Sequence, residues 1–245
     1  RILQFSRQQP NFYPSLTELN LSGNYLGPEG AKVIATTLLL HNNNTNIRSL
    51  DLSHNSIGDK GVKFISKSLL ELLVGNNNKK QQNCCTIQKL NLRNNRIGND
   101  GMIALSCALS SSSSGTKNNT NYSLLHTIDL GNNWIGNDGA HAIAKYVLYN
   151  NQNTTLRGID LRYNRIEFEG ALSIANAMSI NTSNISYIDL GNNYFGNNDK
   201  NGNKSSKLVR NAFLHSDANN NKNTRMMNKT IIDNDNNDDS VGEKK

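Results

Sequence analysis

Cysteine is scarce in this chain, and the little there is excludes two common uses of it. Cys84 and Cys85 are adjacent and Cys107 stands apart, which gives neither a disulfide framework nor a CxxC metal pair. A reducing compartment is the simpler expectation, and with it a cytoplasmic location. Long apolar runs are missing too. None approaches the roughly 18 residues of a membrane helix, so no span is expected. Only 36% of the residues are hydrophobic and the mean hydropathy is −0.61, so part of the chain must stay solvated. The charge excess is small: 26 Lys and Arg against 19 Asp and Glu leave +7, which does not by itself argue for nucleic acid. The first residue is Arg1 rather than Met, which leaves open both a fragment and an upstream targeting signal.

Motifs that carry chemistry are also missing. There is no G-x-G-x-x-G and no GxxxxGK[ST], although GDKGVK at Gly58 superficially resembles a phosphate loop. The five histidines show no HExxH or other ligand spacing. His54 facing Asp51 is a weak acid–base or metal candidate, outweighed by an ordinary solvated histidine. The stretch IDLGNNWIGNDGA from Ile128 has the composition of a calcium loop. Counted from Asp129, however, position six is Trp134 where glycine is required, and position twelve is Ala140 where a glutamate is required. No catalytic residue, metal or cofactor is expected.

What is present is a repeat. The stretches LTELNLSGNYLGPEGA (from Leu16), IRSLDLSHNSIGDKGV (Ile47), IQKLNLRNNRIGNDGM (Ile87), LHTIDLGNNWIGNDGA (Leu125), LRGIDLRYNRIEFEGA (Leu156) and ISYIDLGNNYFGNN (Ile185) share one phase. Each obeys L-x-x-L-x-L-x-x-N-x-L, counting Ile and Phe as Leu. Six in-phase copies exclude coincidence.

These copies resemble leucine-rich repeats of the ribonuclease-inhibitor type, which also occur in NOD-like receptors and in the Ran GTPase-activating protein. The likeness covers residues 16–214. It rests on the LxxLxLxxNxL core and the IGxxGAxxIAxxL that follows it. It implies an α/β fold: a curved solenoid of about six repeats, with a parallel sheet on the concave face and helices on the convex face. It further implies a non-enzymatic scaffold that binds another protein through the concave face and loop rim. The alternative it raises is a GTPase-activating regulator similar to the Ran activator, but the mixed C-terminal segment DNDNNDDSVGEKK matches the acidic tail of that family poorly.

The residues support the same architecture on their own. Apolar residues alternate in LTELNL, as in a strand with one buried face. Leu19, Leu50, Leu90, Ile128, Ile159 and Ile188 are expected to stack along the core, with Leu21, Leu52, Leu92, Leu130, Leu161 and Leu190 beside them. Ala31, Ile34, Ala35 and Leu38, like Ala140, Ile143, Ala144 and Val147, recur at helical spacing. Asp59, Asn99 and Asn137 are expected N-caps, Pro28 suits a first turn, and copy five lacks both the glycine and the cap at Glu167 and Phe168. The Asn row (Asn24, Asn55, Asn95, Asn133, Asn164, Asn193) is expected to satisfy backbone groups where each strand turns away. The Gly row (Gly30, Gly61, Gly101, Gly139, Gly170) is expected where helices approach closely. The Asp row (Asp51, Asp129, Asp160, Asp189) recurs too regularly for catalysis.

Domain bounds follow: an N-terminal flank over 1–15, the solenoid over 16–214, and a disordered tail over 215–245. Asn- and Ser-rich insertions between copies, at 41–46, 75–83, 110–121 and 150–155, are expected as flexible loops, and 208–213 as a last capping helix. Partner-binding positions should be those that differ between copies. Before and after the loop Asn these include Arg93, Arg96, Trp134, Arg162, Tyr163, Arg165 and Tyr194, the residue types that dominate interface hot spots. Arg96 and Arg165 are expected to flank Trp134 at one strand spacing each. A partner protein is therefore expected, with the chain itself a monomer. Nucleic acid binding through the four arginines is opposed by the Asp row beside them.

Overall fold

A computed structural model describes residues 16–40, 47–74, 87–110, 125–149, 155–180 and 185–194. Apart from the edge residues Ser110 and Thr155, the insertions lie outside this set, as do Cys84 and Cys85, the 208–213 segment and the tail. Six short strands alternate with helices: β1 Glu18–Asn20, α1 Gly27–Ile34 (continued by π-helical turns over Ala35–Leu40), β2 Ser49–Asp51, α2 Gly58–Val74, β3 Lys89–Asn91, α3 Asn99–Ser110, β4 Thr127–Asp129, α4 Asn137–Ala142 (continued likewise over Ile143–Tyr149), β5 Gly158–Asp160, α5 Phe168–Ile180 and β6 Tyr187–Asp189. The strands pair in parallel and in chain order. The result is an open, curved solenoid, sheet inside and helices outside.

One hydrophobic ladder holds it together. Leu19, Leu50, Leu90, Ile128, Ile159 and Ile188 are in register across all five strand pairings. From the second copy on they are buried, as are Leu52, Leu92, Leu130, Leu161 and Leu190; Leu19 and Leu21, in the first copy, are only partly covered. The helices close the other side with Ala31, Val62, Met102, Ala140 and Ala171 at matching positions. No copy can bury this face alone, so stability resides in the contacts between neighbours.

The Asn row runs as a second, polar ladder. The Asn133 side-chain oxygen accepts from the backbone N–H groups of Asn95 and Ile97, in the copy before it. Its amide nitrogen donates to the carbonyls of Leu92, Leu130 and Gly131. Asn55 and Asn95 do the same for the loops of copies one and two, and Asn164 and Asn193 for Ile135 and Ile166.

The expected helix caps act one copy further on. Asp59 Oδ1 accepts from Gly98 N at 2.6 Å and Gly101 N at 3.0 Å, so it caps α3 and not its own helix. Asn99 caps α4 through Gly136 and Gly139, and Asn137 caps α5 through Glu167 and Gly170. The physical reason is the close stacking of helix starts, which brings each side chain against its neighbour's free N–H groups. Pro28 holds the equivalent place in copy one and offers no acceptor. The N–H of Gly58 turns instead to Asn95 O, which takes Gly58 to φ +61°, a conformation suited to glycine. Where the cap is present this conformation is not needed, so Glu167 replaces the glycine in copy five without a positive φ.

Two helix positions depart from the pattern. Ser66 and Ser106 are buried and their hydroxyls find no partner, at the place where other copies carry Ala35, Ala144 and Ala175. A buried hydroxyl without a bond costs about 1–3 kcal/mol, and alanine is the better helix former. Ser106→Ala is therefore expected to raise stability by about 1 kcal/mol, read as a higher urea midpoint; a lower midpoint would contradict it.

Candidate protein-recognition face

The concave side is built from the strand residues that point away from the core. The Asp row forms its floor, and each member first serves its own turn. Asp51, Asp129, Asp160 and Asp189 accept from the backbone N–H two residues on, as do Asn20 and Asn91 in their copies. That recurrent bond explains the regularity of the row. His54 does not join Asp51; its Nδ1 lies 2.6 Å from the Asn94 amide nitrogen.

Copies three to six concentrate charge on this floor. Arg162 reaches Asp160 with Nε at 3.1 and 3.0 Å and Nη2 at 2.5 Å, and Nε stands 3.3 Å from Asp189 Oδ2. The Asp160 hydrogen bond, with the three carboxylates around it, holds the guanidinium more firmly protonated than usual. Arg93 leans across β4, its Nη1 3.9 Å from Asp129 Oδ1, and ends 5.6 Å from the centre of the Tyr163 ring. It can do so because Gly131 has no side chain: a Cβ there would run into the Arg93 guanidinium. Gly158 serves Tyr187 in the same way, since a Cβ would collide with that ring. Glycine within a strand often marks such an approach.

Burial raises the pKa of Asp129 above the usual carboxylate value, and the Asp160 charge adds to this; the Gly131 N–H, Arg93 and Arg162 oppose it. Tyr187 is raised likewise, by burial first and then by Asp160, Asp129 and Asp189. The sign matters for stability. A carboxyl raised on folding binds its proton more tightly in the folded state, so folding loses stability as pH rises through the aspartate range toward the raised value. Asn holds the same place in copies one and three. Asp129→Asn is thus expected to be neutral or mildly stabilising near pH 7 and to lose that advantage in acid, measured by denaturation at both pH values. Clear destabilisation at neutral pH would refute this.

Above the floor runs a rim, pinned by backbone bonds. Trp134 N donates to Ile97 O, Arg165 N to Ile135 O and Tyr194 N to Ile166 O. Arg165 stacks on Trp134 with its guanidinium carbon 5.0 Å from the ring centroid. Among the described residues Arg96 makes no such contact, and the backbone gives the reason. Tyr25, Ser56 and Arg96 have φ of 52°, 53° and 60°, whereas Trp134, Arg165 and Tyr194 are not left-handed. The turn backbone therefore differs between copies three and four, and of the two arginines only Arg165 stacks on Trp134.

The residue before the loop Asn is left-handed in every copy: Gly23, His54, Asn94, Asn132, Tyr163 and Asn192. Glycine and asparagine accept this conformation readily, a tyrosine does so at about 1–2 kcal/mol. Tyr163 is half exposed, as are Trp134 and Tyr194. A bulky residue held against its own preference, and left in solvent, is the kind of outlier from which a role can be argued. The sequence offered no sign of this strain, because the αL position is visible only once the turn is known.

The model for "Leucine Rich repeat" matches residues 14–35, 43–66, 83–106, 123–144 and 152–175. This is a leucine-rich repeat protein. The sixth copy falls outside the matched stretches, yet β6 pairs with β5 in the same register as the other leucine-rich repeat strands. Among solved structures, "Leiomodin-1 Actin-Binding Site 2 (ABS2)" is similar at 15% identity and a TM-score of 0.46, covering 95% of this chain and 93% of that one. No curated protein sequence matches the leucine-rich repeat chain. Among the described residues no three His, Cys, Asp or Glu are grouped to hold a metal ion, and no helix is long and apolar enough to cross a membrane.

Proposed function

We propose that the leucine-rich repeat solenoid is a protein-recognition scaffold without catalytic activity of its own, engaging its partner with the rim of copies four to six. The observation that carries this is the run of half-exposed aromatics on consecutive copies, Trp134, Tyr163 and Tyr194, with Tyr163 retained in a left-handed conformation. Arg165 and Arg93 brace two of these rings, which lowers the entropy lost on docking. Aromatic rings and arginine at such a centre give most of the energy of an interface.

Partner capture by the purified chain tests the reading. Trp134→Ala is expected to weaken capture by roughly 2 kcal/mol, and Arg165→Glu to weaken it further through loss of the stack and reversal of charge. Unchanged capture by both variants refutes the reading. The GTPase-activating alternative is separated by a GTP-hydrolysis assay with candidate small GTPases, in which no acceleration is expected.

A further inference from the structure

The four arginines of this face differ in how their charge is spent. Arg93 and Arg162 lie on the floor and are taken up by Asp129, Asp160 and Asp189. Arg96 and Arg165, on the rim, have no ion pair among the described residues. The carboxylates nearest them in sequence are directed elsewhere: Asp100 pairs with Lys63, and the Glu167 carboxylate receives the Asn137 amide. Floor and rim therefore have opposite character. The floor holds three carboxylates and two guanidinium groups. The rim holds two exposed cations, Arg96 and Arg165, in the copies before and after the one that carries the half-exposed indole.

Resting on the recognition reading above, we propose that the partner is an acidic protein segment that lies along the rim and sets carboxylates on Arg96 and Arg165 on either side of Trp134. The spacing suits this. Three consecutive parallel strands set the outer two copies roughly 10 Å apart, a distance that two long arginine side chains and carboxylates a few residues apart in an extended segment can cover. An exposed guanidinium donates two parallel hydrogen bonds to a carboxylate. The half-exposed indole offers a place for an apolar side chain between the two acids. A nucleic acid backbone is disfavoured by the same geometry, because its next phosphates would meet Asp129, Asp160 and Asp189 on the floor.

The test uses the full chain and a fluorescein-labelled peptide of repeated Glu-Glu-Leu, with repeated Gln-Gln-Leu and Lys-Lys-Leu as controls and a single-stranded oligonucleotide of equal charge. Binding is read by anisotropy, and for unlabelled peptides by the emission of Trp134, the single tryptophan of the chain. The acidic peptide is expected to bind, the glutamine and lysine peptides at least about tenfold more weakly. Arg96→Glu with Arg165→Glu should weaken the acidic peptide about tenfold or more, while Arg96→Lys with Arg165→Lys keeps most of the binding. No binding of the acidic peptide, equal binding of the glutamine peptide, indifference to the charge reversal, or preference for the oligonucleotide overturns the proposal. Partner capture that needs Trp134 but ignores both arginine charges would sink the acidic segment and leave the recognition reading standing.

Discussion

Asn133→Ala should cost roughly 3–5 kcal/mol of stability, more than truncating any single surface residue. Asn133 is 3% exposed, so the groups it satisfies are out of reach of bulk water. Removing its amide orphans the N–H groups of Asn95 and Ile97 and takes a donor from the carbonyls of Leu92, Leu130 and Gly131. Each buried donor left without a partner costs about 1–3 kcal/mol, and the two N–H groups alone account for most of the effect. Chemical denaturation gives the size, and amide exchange gives the place. Protection should fall at Asn95 and Ile97, in copy three, before it falls at residue 133. A loss below about 1 kcal/mol would mean that the ladder is dispensable.

The second large effect is expected at Gly101. A Cβ there would sit 2.6 Å from Asp59 Oδ1 and 3.1 Å from Asp59 Cα. Its own N–H is one of the two that Asp59 caps. Valine would therefore push α3 off α2 and break the cap in the same stroke. Overpacking typically costs about 1–3 kcal/mol and loss of a cap about 1 kcal/mol, so Gly101→Val should destabilise by roughly 2–4 kcal/mol. Asp59→Ala isolates the cap and should cost about 1 kcal/mol. If Gly101→Val is no worse than Asp59→Ala, the helices are not in the tight contact described.

Much of this fold can be read from the residues because its determinants are local and repeated. The alternation in LTELNL sets which strand residues are buried, and the Asn and Gly rows mark the loop and the helix approach. The direction in which the polar side chains act is harder to see. Asp59 stands beside its own helix in the sequence, but the N–H groups it meets belong to Gly98 and Gly101, 39 and 42 residues on. No local spacing carries that information. The candidate site is legible in part. Trp134 and the arginines stand out as residues that differ between copies. Their grouping does not, because it depends on a backbone change between Arg96 and Trp134 and on the empty places at Gly131 and Gly158, which admit Arg93 and Tyr187.

The backward reach of the asparagine side chains gives the solenoid a sense of time. Each loop is completed by the asparagine of the next copy: Asn55 closes copy one, Asn95 copy two, Asn133 copy three. A chain emerging from the ribosome therefore holds its newest copy open until another 29–40 residues have been made, the distances between successive copies. Folding in the cell should trail synthesis by one repeat, with the most recent copy always the one exposed to proteases and chaperones.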